Sequence, residues 1–139
     1  MGPTLRAVPL LALPALLYAA LAFSMGDASF RPFLAETALS MRLPSGADFV
    51  VGYGHLLIMF AAGLFFVEIL KSTRPTGPSI IVNSLAMLLF ALCLGLFLIV
   101  PEFGTMEFFL IMAMLLLDFL AGAIVMIFVA RRDVAWGAS

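Results

Sequence analysis

From Met106 to Ala130 the chain is apolar except for Glu107 at its edge and one acid midway, Asp118; Arg131 and Arg132 close the stretch. A helix of about 20 apolar residues crosses the ~30 Å hydrocarbon core of a bilayer. Backbone groups in lipid must find their hydrogen bonds inside the protein, which restricts such a run to a helix or a closed barrel. A barrel would need shorter segments of alternating character, and none is present. Three earlier stretches repeat the pattern, at about 5–25, 49–70 and 80–100. The whole chain is 65% hydrophobic and 11% charged, where soluble domains run nearer half and a quarter. The expected fold class is all-α. It is a polytopic membrane protein, one domain over 1–139, built as an antiparallel four-helix transmembrane bundle.

The first block carries Pro9 and Pro14 inside its apolar run. A membrane helix tolerates proline where neighbours satisfy the freed carbonyls, and a bend near Pro14 is expected. Ala12, Ala15, Ala19 and Ala22 recur at helical spacing and allow another helix to approach closely. Arg6, the apolar run and Ala20-Leu21-Ala22 also fit a signal peptide. Val8 to Phe23 exceeds the usual signal core, however, and retention as a spanning helix is the expectation. Between the first and second blocks lies a polar stretch whose residues 29–43 read as a short amphipathic helix in the interface. Phe30, Phe33, Leu34, Ala38 and Met41 would form its apolar face. Leu39 to Leu43 also alternates with period two, which fits an extended segment instead. The loop Ser72 to Ser79 holds two prolines and a glycine and makes a tight connection. Residues 101–105 are short enough to make the last two helices antiparallel neighbours. Arg131 to Ser139 reads as a polar tail, with Trp136 suited to the membrane interface.

Arg6, Lys71, Arg74, Arg131 and Arg132 fall on one side if four helices span, and only Arg31 and Arg42 on the other. The side richer in Lys and Arg is cytoplasmic. Both termini are therefore expected inside, in a multi-pass protein of a bacterial inner membrane. The net charge of -1 gives no reason to expect nucleic acid. The expected partners are the lipid bilayer and either further copies of the chain or a larger membrane complex.

Asp118 lies about 18 Å from either end of its block, at the rise of an α-helix, and so near the midplane. An Asp there costs ~2.5–3.5 kcal/mol on insertion scales. The small residues Ala121 and Gly122 share its face, so the side chain is expected to point into the bundle, where burial favours its neutral form. It could tie its helix to a neighbour through a hydrogen bond, or carry a proton or ligand. On the third block, Ser84, Ala91 and Gly95 form a small-residue stripe suited to pack on that face, with Ser84 one turn from Asp118. Asn83 reads as a hydrogen bonder at the helix end, and Cys93 as a small apolar filler. His55 should sit roughly 9 Å to the outer side of Asp118, and Glu68 roughly 10 Å to the inner side. A column of His, Asp and Glu is the form a proton relay takes. The plainer expectation pairs Glu68 with Lys71 at the membrane edge, both reaching toward water, and turns His55 to the outer headgroups. One histidine argues against a bis-His haem or an all-protein zinc site. No catalytic nucleophile–base pair appears, and the sequence identifies no cofactor.

With Glu68-Ile69-Leu70-Lys71, Asp118 and Arg131-Arg132-Asp133-Val134 in view, the chain resembles small four-helix bacterial inner-membrane proteins of no assigned activity, over its second to fourth helices. The resemblance implies the bundle and supplies no function. The expectation that remains is a non-catalytic membrane protein, serving as an accessory, assembly or self-associating subunit. The alternative is a small proton-coupled transporter or ion-conducting protein that uses Asp118.

Overall fold

The computed structural model describes residues 8–72 and 79–138. In chain order its elements are helices α1 (Ala12–Met25) and α2 (Asp27–Ala35), strands β1 (Thr37–Arg42) and β2 (Asp48–Gly52), then helices α3 (Tyr53–Ser72), α4 (Ser79–Ile99) and α5 (Met106–Gly137). A 3-10 turn at Pro101–Phe103 leads into α5. Among the described residues three helices are long and apolar enough to cross a membrane: Tyr53–Ser72, Ile80–Ile99 and Met106–Gly137. The expected loop Ser72 to Ser79 falls on residues 73–78, outside those described.

The first apolar block departs from expectation. Residues 5–7 lie outside the described region, and the helix that follows has 14 residues. At 1.5 Å per residue it extends about 21 Å, short of the ~30 Å core. The reason is local. Pro9 has no N–H and keeps the residue before it out of helical geometry. The chain turns once, with the N–H of Ala12 donating to the Pro9 carbonyl at 3.0 Å and that of Leu13 to the Leu10 carbonyl at 3.0 Å. Pro14 then falls at the third helical position, where an N–H would have no intrahelical acceptor. It costs the helix no hydrogen bond and gives no cause for the expected bend. The alanine stripe behaves as anticipated: Ala15 and Ala22 are buried and Ala12 and Ala19 half-buried, against α2, α3 and α5.

Gly26, at φ +71°, reverses the chain between α1 and α2 in a conformation that L side chains rarely adopt. Residues 29–43 are then split. The helical half ends at Ala35, with Pro32 inside it. The extended half becomes β1, which pairs antiparallel with β2 in the register Leu39↔Val51, Ser40↔Val50, Met41↔Phe49 and Arg42↔Asp48. The fold is therefore not purely helical, and α3 opens at Tyr53 because residues 48–52 belong to the hairpin. Leu39, Met41 and Phe49 share one face and are about half exposed. Val51, where the hairpin meets the helices, is buried.

An aromatic cluster fills the core at the end where α4 turns into α5. Tyr18, Phe30, Phe103 and Phe108 are all fully buried. Tyr18 stacks edge-on to Phe30 at 4.9 Å between centroids and lies 4.9 Å from Phe108. Its hydroxyl donates to the Glu102 carbonyl at 2.9 Å and shares a hydrogen bond with the Thr105 hydroxyl. Thr105 in turn caps α5 by accepting the Phe108 N–H at 3.3 Å. Arg31 of α2 straps the same turn from outside, donating to the Pro101 carbonyl and the Asp27 carboxylate, each at 2.6 Å. That carboxylate holds the guanidinium above its ordinary pKa.

Helices α4 and α5 are antiparallel neighbours, as the short connection requires. Gly54 near the start of α3 lies against Glu107 near the start of α5, so α3 and α5 run side by side in the same direction. Helix α5 does not stop at Ala130 but continues to Gly137, with residues 131–138 exposed. No proline interrupts it, and the next glycine after Gly122 is Gly137 itself.

Candidate functional site

Two carboxylic acids are buried among the described residues, Glu68 at 2% exposure and Asp118 at 5%. On α5, Phe108, Ile111, Met112, Leu115 and Asp118 follow one another at spacings of one or three, so the acid closes the helix's buried seam. It points into the protein, as its small-residue face implies. Among the described residues no hydrogen bond or ion pair reaches its carboxyl group. The expected tie to a neighbouring helix is not made.

The charges that act on Asp118 are Glu68 and Lys71, both from α3. The alignment at Gly54 and Glu107 sets their heights. Eleven residues further along each helix, Asp118 stands level with Phe65, and Glu68 is three residues beyond, roughly 4–5 Å. The expected separation of about 10 Å was too wide because it started α3 at 49 and lacked this register. Glu68 has firm partners. The Lys71 ammonium donates to Oε1 and Oε2, each at 3.2 Å. The Leu10 N–H donates to Oε2 at 2.9 Å. The pair with Lys71 is the one expected, but Glu68 is buried under α1 rather than reaching for water. It serves the turn before α1 as a cap supplied by another helix, satisfying a donor that has no acceptor of its own.

Asn83 of α4 faces Gly122 of α5, closely enough that a Cβ on the glycine would overlap its Oδ1 and lie 3.2 Å from its Cγ. Gly122 is one turn from Asp118, so Asn83, not Ser84, brings a polar group to this level. Ser84 and Ala91 are exposed, while Ala86 and Cys93 are buried. The stripe chosen for its small residues faces outward, and the packing face is turned about one residue round the helix. Cys93 fills space, as expected. His55 is exposed. Its Nδ1 accepts the Gly52 N–H at 3.0 Å and caps the start of α3. The structure thus brings Asp118 and Glu68 together and leaves Ser84 and His55 apart from them, so the three-acid-base column does not assemble. Sequence reasoning set Asn83 at the helix end and missed its approach to Gly122, and it missed the Leu10 contact; Gly122, a gap on the Asp118 face, was the sign that a longer side chain would approach there.

Chemically, the cluster offers two carboxylates, one ammonium whose side chain is 35% exposed, and one amide. Among the described residues no group of three or more His, Cys, Asp or Glu side chains could hold a metal ion. No family model matches the chain, and neither curated proteins nor solved structures give a match.

Proposed function

We propose that this is a non-catalytic integral protein of a bacterial inner membrane that acts by association, as a self-associating subunit. The observation that carries the reading is the hairpin. One face presents Leu39, Met41 and Phe49 half exposed, beside strand edges that no other strand covers among the described residues. A lone two-stranded hairpin is marginal in water. Lipid could cover its apolar face but cannot bond its edges. A second copy supplies both, since like edges pair readily and a two-fold contact needs only one self-complementary patch. The basic residues Lys71, Arg131 and Arg132, toward the opposite end of α3 and α5 from the hairpin, support an orientation with their own end in the cytoplasm. The Leu10–Glu68 contact brings the start of α1 to the same end.

The test is disulfide capture in native membranes, in a Cys93→Ser background that removes the single cysteine. Met41→Cys and Phe49→Cys should cross-link between copies, and Ser40→Cys on the opposite face should not. Equal capture at all three positions, or at none, refutes the reading.

A second reading, a small proton-coupled transporter or ion-conducting protein, draws on Asp118, buried beside Glu68 and without a hydrogen-bond or ion-pair partner among the described residues. It requires a flux in reconstituted protein that Asp118→Asn abolishes; a flux indifferent to that change would refute it.

A further inference from the structure

Around Asp118, where α5 packs against α3 and against α4, the charge count among the described residues does not close. Glu68 and Asp118 bring two buried carboxylates, and Lys71 brings one ammonium that is already engaged by Glu68. Among the described residues the other elements supply nothing ionisable at this level: Asn83 of α4 is neutral, and on α5 itself Glu107 and Arg131 stand eleven and thirteen residues away. From α1 only the Leu10 N–H enters, and it goes to Glu68. An isolated carboxylate in a low-dielectric interior is costly enough to change its charge state instead. Among the described residues, one positive charge is missing.

We propose that Asp118 is the site of one exchangeable proton, with Glu68 and Asn83 as the neighbouring acceptors and Lys71 as the fixed counter-charge. A metal cation does not suit this place. Intramembrane sodium sites draw ligands from unwound helices whose carbonyls are free, whereas α5 is continuous from Met106 to Gly137 and α3 from Tyr53 to Ser72. A proton needs a single oxygen. The protonated carboxyl becomes a donor, and the Asn83 oxygen stands against Gly122, one helical turn or about 6 Å along the same face. A side-chain rotation or one water closes that gap. Access is one-sided. Toward the α4–α5 turn the seam is sealed by Leu115, Ile111 and Phe108, all fully buried, while toward Lys71 it opens to a half-exposed ammonium. Such a site binds and releases a proton at one end, so the inference stands whether or not the protein moves ions.

The test is infrared difference spectroscopy of the unsubstituted protein in lipid nanodiscs, following the carbonyl stretch of a protonated carboxylic acid as pH is varied. Selective ¹³C labelling of aspartate carboxyls distinguishes Asp118 from Glu68 without any substitution. The expected result is one aspartate-derived signal at neutral pH, lost in Asp118→Asn, replaced by a glutamate-derived signal in Asp118→Glu, and unchanged by a hundredfold change in sodium. No protonated carboxyl at neutral pH, a signal carried by glutamate in the unsubstituted protein, or one abolished by sodium would each overturn the proposal.

Discussion

Replacing Gly122 by alanine tests the contact that places Asn83 at the candidate site. The added Cβ would overlap Asn83 Oδ1, lie 3.2 Å from Cγ and lie 3.7 Å from Cβ. Ordinary contact begins near 3.4 Å, so either the amide rotates away or α4 and α5 separate. Forcing one methyl group into a packed site costs ~1–3 kcal/mol. Against this, Gly→Ala at a compatible backbone gains ~0.4–1 kcal/mol through the unfolded chain. The net loss expected for Gly122→Ala is therefore on the order of 1 kcal/mol. Gly95 supplies the control, because a Cβ there meets nothing within 4 Å. Gly95→Ala should be neutral or stabilising, and the difference between the two variants isolates the steric part. Asn83→Ala removes the obstructing oxygen. The double variant should recover most of the loss, with a coupling energy of ~1–2 kcal/mol, inside the range seen for touching residues. The assay is reversible unfolding in mixed micelles. If Gly122→Ala and Gly95→Ala behave alike, or Asn83→Ala gives no rescue, then α4 and α5 do not meet in this register and Asn83 leaves the site.

Gly54→Ala should cost more than Gly122→Ala in the same assay, because its Cβ would lie 2.8 Å from Glu107 Oε1 and 3.1 Å from the Leu34 carbonyl oxygen, and a backbone atom cannot step aside; Glu107→Ala should restore only part of the loss. Tyr18→Phe keeps the ring contacts and deletes the bonds to Glu102 and Thr105, which predicts a loss of ~1–2 kcal/mol; a neutral effect would show that the aromatic cluster holds α1 unaided. Glu68→Gln retains an acceptor for the Leu10 N–H, whereas Glu68→Leu does not. Hydrogen exchange at Leu10 should stay slow in the first and become fast in the second, and equal exchange in both would mean that Glu68 does not hold the start of α1.

The spanning-length helices were legible because their signal is compositional: a run such as Ile80 to Ile99 needs no partner to be recognised. Asp118 was legible for the same reason, since its cost is set by its position in the run. The hairpin was not, because β2 draws its identity from pairing with β1. Read alone, Phe49-Val50-Val51 continues the apolar block of α3. The alternation in Leu39 to Leu43 was the visible half of a two-part signal. Ser84 failed differently. Small residues mark where a helix can be approached, but on α4 the orientation is set by Asn83 fitting opposite Gly122 and by Ala86 and Cys93 being buried, a fact about two helices together. The short α1 could be anticipated from Pro9 and Pro14 once the first turn, not the interior, is taken as the place where proline is cheap.

The two buried acids are not equivalent, and that difference makes a prediction of its own. Glu68 is accounted for by its bonds to Lys71 and Leu10, and removing one partner from a buried ion pair is destabilising. Asp118 has no such bonds among the described residues. If it were a structural tie, Asp118→Asn would weaken the fold by the worth of a polar contact between membrane helices, ~0.6 kcal/mol on average and up to ~1.7. If it is a neutral acid held without a fixed partner, the amide replaces it almost atom for atom, and stability should change by less than ~0.5 kcal/mol. Asp118→Leu should then stabilise, since it removes a residue that costs ~2.5–3.5 kcal/mol at the centre of a membrane helix. Unfolding of both variants in mixed micelles decides the matter. A loss above ~1.5 kcal/mol in Asp118→Asn would restore the tie, and with it a purely architectural reason for an acid at this depth. A silent Asp118→Asn and a stabilised Asp118→Leu leave the acid with no structural debt to discharge, which is the condition a proton site would satisfy.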